Sequence, residues 1–579
     1  MECNSLTLTG LNQHSYDHQF TYQKGMLKPV PKSNSSSKNH LSYYFSSLSL
    51  PSERLTSTAL LAKNTSQKYQ TLVDEESPSP KEKKLSLDET DENLTESIFS
   101  LAVPALAGLA IDPLMTLADT AFVGRYAVNA DSLAGLGTAT ALLSFCFYIF
   151  NFLCTATTPL VSQRRAAGDE AQAKAVAGQA LSLALMLGAS LCLILLVSGQ
   201  PLLSFMGTMN TGAEANAYAL SFLNIRSLAA PAIFVSSAAT GILRGYLDTK
   251  TALVILVAAN IVNFLLDVIL IPGLGMGPTG AAIATTTAEW ICAVSFLGVL
   301  NGSLPSADGN ELGSNQKRDE SDPENDTLSK ISPSTSIPPW EEIQPLIVAS
   351  SSIFLRSIVL QVALAGAAAM AARNSISPNG LISADGAAAS VAAHQIAVQL
   401  WLLCSFICDA LAAASQALIA DALGRSNAER VRDVSNVVIT YSLILGIVLA
   451  VCLQIGKMSH FLLDFFTTDL VTQNALSPLI SLVILAQPLN SFVFAADGII
   501  QGASEFAFQA KGMLISVILG VTYFISLEYF GGEPPGSETL LHVWEGLIAL
   551  QIGRALTSTW KLVEKDGPID ILGSKSSSL

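Results

Sequence analysis

The sequence predicts an all-α integral membrane fold of twelve transmembrane helices, arranged as two parallel six-helix repeats. Composition, the spacing of apolar segments and an internal repetition predict it. Half of the 579 residues are hydrophobic and 13% are charged; the mean hydropathy is +0.46. That is the composition of a chain dissolved in lipid. A bilayer core takes about 20 apolar residues per helix, and such segments begin at residue 98. They fall at 98–124, 133–160, 175–198, 216–242, 251–272 and 278–300, then at 345–372, 387–415, 434–455, 474–502, 511–530 and 541–560.

The repetition is carried by P-x9-G-x3-G, which occurs at 231–245 (PAIFVSSAATGILRG) and again at 488–502 (PLNSFVFAADGIIQG), an offset of 257. A second match, AAG at 166–168 with Lys174 and ALG at 422–424 with Arg430, has an offset of 256. Six is an even number of crossings, so both copies enter from the same side, related by an axis along the membrane normal. The expected organisation is a leader at 1–72, an acidic segment at 73–97, one lobe at 98–300, a polar linker at 301–344, a second lobe at 345–560 and a tail at 561–579. The Ser, Asp, Glu and Pro content of the linker predicts disorder.

The formal charge of −15 does not describe the membrane part. Residues 73–97 hold nine acids against three lysines, and 302–342 hold nine against three bases. No basic stripe interleaved with aromatics is present, so a nucleic-acid partner is not expected. Among the predicted loops the even-numbered ones carry most of the basic residues, including Arg164, Arg165, Arg244, Lys250, Arg425, Arg430 and Lys511. On the positive-inside rule these loops and both termini face the inner compartment. The first 72 residues hold thirteen serines, seven Lys/Arg and three acids without a secretory apolar core. They are expected to be a plastid transit peptide, which would make the inner side the stroma and the membrane a plastid envelope; the alternative is a disordered cytoplasmic tail.

Seven of the eight cysteines, Cys146, Cys154, Cys192, Cys292, Cys404, Cys408 and Cys452, lie in apolar segments without a CxxC pair, as small core residues do. Of the six histidines only His394 is expected in a helix, with no ligand partner at metal spacing. Neither a resident metal nor a cofactor is expected. The ionisable residues inside predicted helices cost roughly 2.5 to 3.5 kcal/mol each by insertion scales and so need a reason. They are Asp112, Asp119, Arg226, Asp267, Glu289, Arg356, Asp409 and Asp497. Asp119 and Asp267 fall at similar depth, roughly 8 to 9 Å inside the outer face. Two carboxylates at one depth form a cation or proton site, because binding relieves their repulsion. Asn263 is one turn before Asp267 and adds a neutral oxygen on the same face. Asp112 precedes Pro113, which frees a carbonyl and bends the helix. The competing reading is that each Asp serves packing.

The strings PALAGLAIDPLMTLADTAFVG and NIVNFLLDVILIPGLGMGPTGAAIAT, with the repeated P-x9-G-x3-G, resemble the multidrug and toxic compound extrusion (MATE) family. The resemblance runs from about Glu96 to Leu562 and is nearest to the DinF-like branch, with its plant plastid-targeted DETOXIFICATION proteins. It implies a V-shaped two-lobe transporter, a monomer in the lipid bilayer, that exports small organic solutes in exchange for H+ or Na+. The family's amino-terminal cation site then falls on Asp119, Asn263, Asp267 and Thr285. The NorM-like branch also has a carboxylate on helix seven, where this chain has Arg356 and Gln361, although Asp497 matches a helix-ten acid of that branch. Candidate cleft residues are Asp112, Arg356, Gln361, Asp409 and Asp497. Arg356 is either paired internally with Asp409 or Asp497 or a counter-charge for an anionic solute. The alternatives to an antiporter are a flippase for lipid-linked precursors, which asks for a strongly cationic cleft, and a membrane-embedded enzyme, for which no catalytic constellation is found.

Overall fold

The computed structural model describes residues 94–111, 115, 130–150, 152–205, 213–305, 331–333, 340–371, 384–467, 469–530, 539–565 and 567–572. The expected leader at 1–72, most of the acidic segment and most of the linker lie outside the described residues, as do Asp112 and Asp119. The described chain is all-helical. It runs α1 (Leu94–Ile111), α2 (Ala130–Ile149), α3 (Phe152–Ala166), α4 (Glu170–Phe205), α5 (Ala213–Ser227), α6 (Ala230–Gly245), α7 (Thr249–Val268) and α8 (Gly277–Leu300). The second half has α9 (Trp340–Ala371), α10 (Ala384–Gly424), α11 (Ala428–Met458), the short α12 (Phe461–Phe466), α13 (Leu470–Gly502), α14 (Phe506–Phe530) and α15 (Thr539–Val563).

The second predicted span is the pair α2 and α3. The fourth is α5 and α6, bent by 47° where Pro231 opens α6, because proline has no N–H to continue the ladder. Among the described residues ten stretches are long and apolar enough to cross a bilayer, eleven with the bent pair taken as one. The twelfth predicted span exists as the helix α15, but His542, Glu545, Arg554 and Lys561 leave it too polar to qualify by composition. The helices turn their large apolar side chains outward: Met186, Leu193, Ile194 and Val197 on α4, and Ile444, Ile447, Val448 and Val451 on α11, are exposed. Such stripes at helical spacing are stable only against lipid. The interior is filled by small residues instead, such as Ala410, Ala412, Ala414, Ala417 and Ala420 on α10, which let helix backbones approach.

The repeated motif has a physical explanation. A Cβ on Gly188 of α4 would lie 2.5 Å from Cα of Pro231, and one on Gly446 of α11 would lie 2.6 Å from Cα of Pro488. A Cβ on Gly241 would meet the carbonyl oxygen of Cys154 at 2.7 Å, and one on Gly498 that of Ala412 at 2.4 Å. The proline of each copy thus sits on a glycine of the preceding long helix, while the motif's own glycines press against α3 or α10. After each motif the chain turns through one left-handed residue, Leu247 at φ 61° and Ser504 at φ 60°.

The second sequence match needs correction. α3 ends at Ala166 and turns through Gly168 at φ 83°; α10 ends at Gly424 and turns through Ser426 at φ 55°. Asp169 then accepts from Gln172 N as Asn427 does from Arg430 N. The structural register there is therefore 258, and the three-letter resemblance at 256 is a slip of two residues: the helix end and its cap are what repeats.

Helices α1 and α9, the first of each half, lean on the opposite half. Leu94, Ile98, Leu101 and Ala102 pack into the core of the second half with Leu411, Val434 and Ile499, and Thr95 Oγ1 and Tyr441 OH share a hydrogen bond of 2.8 Å. Reciprocally, Leu346, Ala349 and Ile353 join the core of the first half, and the Phe354 ring lies 5.9 Å from that of Phe152. The lobes are tied together by their opening helices.

Candidate functional site

α7 starts where Asp248 accepts from Thr251 N at 2.9 Å. Its buried stripe is Ala252, Ile255, Ala259, Asn263 and Asp267, a step of three or four residues throughout. The last two positions of a packing face are therefore polar, with Asn263 1% and Asp267 0% exposed. Both amide atoms of Asn263 are buried and meet no hydrogen-bond partner among the described residues. Two residues beyond Asp267 the helix widens into a π turn, Ile269–Gly273, closed by Leu274 N donating to Ile269 O at 2.9 Å. Pro272 falls inside that turn. α8 packs back against α7, and its Thr285 is half-buried, donating to Ala281 O at 2.8 Å. Asn263 and Asp267 are thus brought together, with Thr285 on the adjoining helix; Asp119 and Asp112 lie outside the described residues.

In the second half Arg356 of α9 donates to Asp497 Oδ2 of α13 at 2.5 Å, which places its partner among the two candidates. A second cation completes the group: Arg554 of α15 donates to the same oxygen at 2.5 Å and to Gln551 Oε1 at 2.7 Å. Gln551 donates to Asn490 Oδ1 at 2.9 Å and Asn490 to Ser405 Oγ at 3.2 Å, so a polar chain crosses α15, α13 and α10. Asp497 and Arg554 are each 6% exposed. Asp409 is half-buried and attracted by Arg244 and Arg356. Gln361 is half-buried on α9 and makes none of these contacts. Arg226 and Glu289 are half-buried on α5 and α8.

Arg554 was within reach of the sequence, since it stands inside the predicted segment 541–560. His542 corrects the histidine reading in the same way. It lies in the first turn of α15, with Nδ1 2.9 Å from Glu528 Oε2, while Thr539 donates to Glu528 Oε1 at 2.8 Å. An apolar average over twenty residues hides single charges at the ends of a span.

Residues 104–269 and 381–524 match the MatE family model, one block in each half and together more than half of the chain. The chain belongs to the MATE family. Its members are transporters, which sets the enzyme alternative aside. The chain is 30% identical over 487 residues to Protein DETOXIFICATION 44, chloroplastic, of Arabidopsis thaliana, covering 82% of this chain and 84% of that protein. It is 34% identical over 209 residues to DNA damage-inducible protein F of Escherichia coli (strain K12), covering 35% and 43%. A crystal structure of MATE in the bent conformation superposes with a TM-score of 0.67 at 20% identity, covering 83% of this chain and 95% of that one. An outward-facing conformation of a multidrug resistance MATE family transporter superposes with a TM-score of 0.67, covering 82% and 96%. At this identity the structures show the fold alone, the two-lobe arrangement expected from the sequence.

The end bearing the basic loops is sealed by α3 against α10 and α13. Ser162 donates to Ala417 O at 3.2 Å, Gln416 to Thr155 O at 2.8 Å, and Gln163 to Gly502 O at 2.9 Å and to Ser504 Oγ at 3.0 Å. Arg165 pairs with Asp421 at 3.3 Å and stacks 5.6 Å from the centre of the Tyr246 ring. The Tyr246 hydroxyl donates to Glu170 Oε1 at 2.7 Å, and burial, with that neighbouring carboxylate, pushes its pKa up. A partly exposed ion pair is worth only about 0–1 kcal/mol, so the hydrogen bonds carry more of the seal. The double variant Gln163→Ala, Arg165→Gln is expected to raise the rate at which a water-soluble maleimide modifies Cys154, 6% exposed, by about tenfold, as peptide-resolved mass spectrometry would measure; the factor corresponds to about 1.4 kcal/mol of lost closure.

Proposed function

We propose that the protein is an antiporter that exports small organic solutes across a plastid envelope membrane, with both termini in the stroma. The solute leaves in exchange for protons or sodium ions held by Asp119, Asn263, Asp267 and Thr285. The observation that carries this reading is the wholly buried pair Asn263 and Asp267, one turn apart on a packing face that is otherwise apolar from Ala252 to Ala259. A carboxylate there costs several kcal/mol unless a cation or proton meets it. The amide oxygen of Asn263, without a partner among the described residues, suits a proton donor or a sodium ion. An ion that binds one lobe arrangement better than the other shifts the equilibrium between them, which is all that coupling requires.

The test is counterflow of a panel of organic anions and cations in reconstituted vesicles, with a pH gradient, a sodium gradient or neither. One gradient is expected to accelerate exchange, and collapsing it with an ionophore to remove the acceleration. Exchange indifferent to both gradients would contradict antiport. Accumulation of a lipid-linked precursor in preference to soluble solutes would favour the flippase instead. The plastid assignment is supported by the chloroplastic name of a relative at 30% identity and by the serine-rich leader. A fluorescent reporter fused to residues 1–95 is expected to enter plastids, and its retention in the cytosol would sink the assignment.

A further inference from the structure

Beyond α15 the chain turns back on itself. Gly567 N donates to Glu564 O at 3.2 Å, Pro568 rules out further helix, and Ile571 N returns to Leu562 O at 3.0 Å after Asp570 has turned left-handed at φ 33°. Arg432 of α11 donates through Nε to Asp570 O at 3.1 Å. Ile569, 2% exposed, joins the buried core that holds Leu94 and Ile98 of α1 with Val431 and Val434 of α11. A segment after the last helix is ordinarily loose unless something ties it down, and this one has an aliphatic anchor and two hydrogen bonds. Lys561 fastens the same corner: Nζ pairs with Glu505 at 3.1 Å and Glu564 at 2.8 Å and lies 5.3 Å from the centre of the Phe508 ring. Glu505 follows Ser504, whose Oγ accepts from Gln163 across the seal.

The helix that Ile569 helps to cover is α1. Its first turns sit in the core of the second half, whereas about four turns on a Cβ added to Gly108 would lie 3.4 Å from Leu256 Cδ1 of α7, in the first half. α1 therefore bridges the halves. Opening the sealed end draws α3 away from α10 and α13, and α1 follows the first half only by leaving the core that Ile569 completes. We propose that residues 567–572 are a strap: they hold the first turns of α1 on the second half and thereby weight the lobes towards closure at the end bearing the basic loops. One aliphatic side chain and one hydrogen bond to α11 make the strap a bias on the equilibrium between lobe arrangements, not a lock. The inference is indifferent to the solute and to the coupling ion.

The test is the rate at which a water-soluble maleimide modifies the full-length protein, read by peptide-resolved mass spectrometry at three positions. A cysteine placed by Leu94→Cys, where the native side chain is 1% exposed, reports release of α1; native Cys154 reports opening of the seal; native Cys292, 3% exposed in the core of the first half, reports general loosening. In the Leu94→Cys background, Ile569→Asp is expected to speed modification at position 94 about tenfold and at Cys154 severalfold, with Cys292 unchanged. Ile569→Ala and Arg432→Leu are expected to do the same to a smaller degree, which keeps the test open if Ile569→Asp folds poorly. Leu572→Asp, at a position 73% exposed, is the control and should change none of the three. No acceleration at position 94 would overturn the strap, as would an equal acceleration at Cys292 or one matched by Leu572→Asp. Acceleration at position 94 with Cys154 unmoved would overturn its hold on the seal.

Discussion

Asp267→Asn is expected to insert and fold as the wild type does, yet to lose gradient-driven transport by about a hundredfold, the loss that follows when an ion's differential binding of a few kcal/mol disappears. The amide keeps the shape of the carboxyl, and a neutral group at a position 0% exposed is less costly to bury than a charged one. Folded yield should therefore not fall. On the antiport proposed above, what goes is the site where a cation or proton changes the free-energy difference between the two lobe arrangements. Solute binding should survive, since it draws on other contacts. The measurement is uptake into everted vesicles per unit of folded protein, for Asp267→Asn, Asp119→Asn and Asp497→Asn. Wild-type gradient dependence in the first two with its abolition in the third would move the coupling site to the second half.

The second large effect concerns the fold. Gly498→Val is expected to abolish stable expression or lower the melting temperature in detergent by more than any polar substitution described above. Its Cβ would come within 2.4 Å of Ala412 O and of Ser415 Oγ, and the first of these is backbone that cannot swing aside. Overpacking costs about 1–3 kcal/mol where neighbours can shift, and α13 against α10 is the most extensive helix pair among the described residues. Gly241→Val, against Cys154 O at 2.7 Å, should behave alike in the first half. Gly366→Val on α9 is the control, because nothing lies within 4 Å of its added Cβ. Equal loss in all three would mean that helix propensity, and not close approach, explains the glycines.

Much of this was legible in the sequence, for identifiable reasons. Apolar length marks a span because the bilayer has one thickness, and P-x9-G-x3-G marked the repeat because the same helix contact has to be built twice. Asn263 and Asp267 were legible as a pair because four residues make one turn. The match at 166–168 and 422–424 misled because helix ends are fixed by caps such as Asp169 and Asn427, which need not be alike in letters. Arg554 escaped because a long apolar segment tolerates one charge when a partner on another helix meets it, and that partner, Asp497, is 57 residues away. The leaning of α1 and α9 onto the opposite halves leaves no trace in periodicity, since a buried stripe reads the same whichever bundle covers it. Arg165 reads as a loop-edge cation until the lobes meet and Asp421 faces it.

The seal between the lobes also sets how seldom an empty carrier turns over. Four hydrogen bonds join α3 to the second half, each worth about 0.5–1.5 kcal/mol net. Breaking them together costs roughly 2–6 kcal/mol before closure of the opposite end offsets any of it. Taken alone, that cost would hold an unloaded molecule's visits to the opposite arrangement to between about one time in thirty and one in twenty-five thousand. In the antiport proposed above, slippage, in which the ion runs down its gradient without moving a solute, would be suppressed by the same few side chains that close the door, and a variant that loosens them should dissipate the gradient faster while exporting less for each ion that crosses.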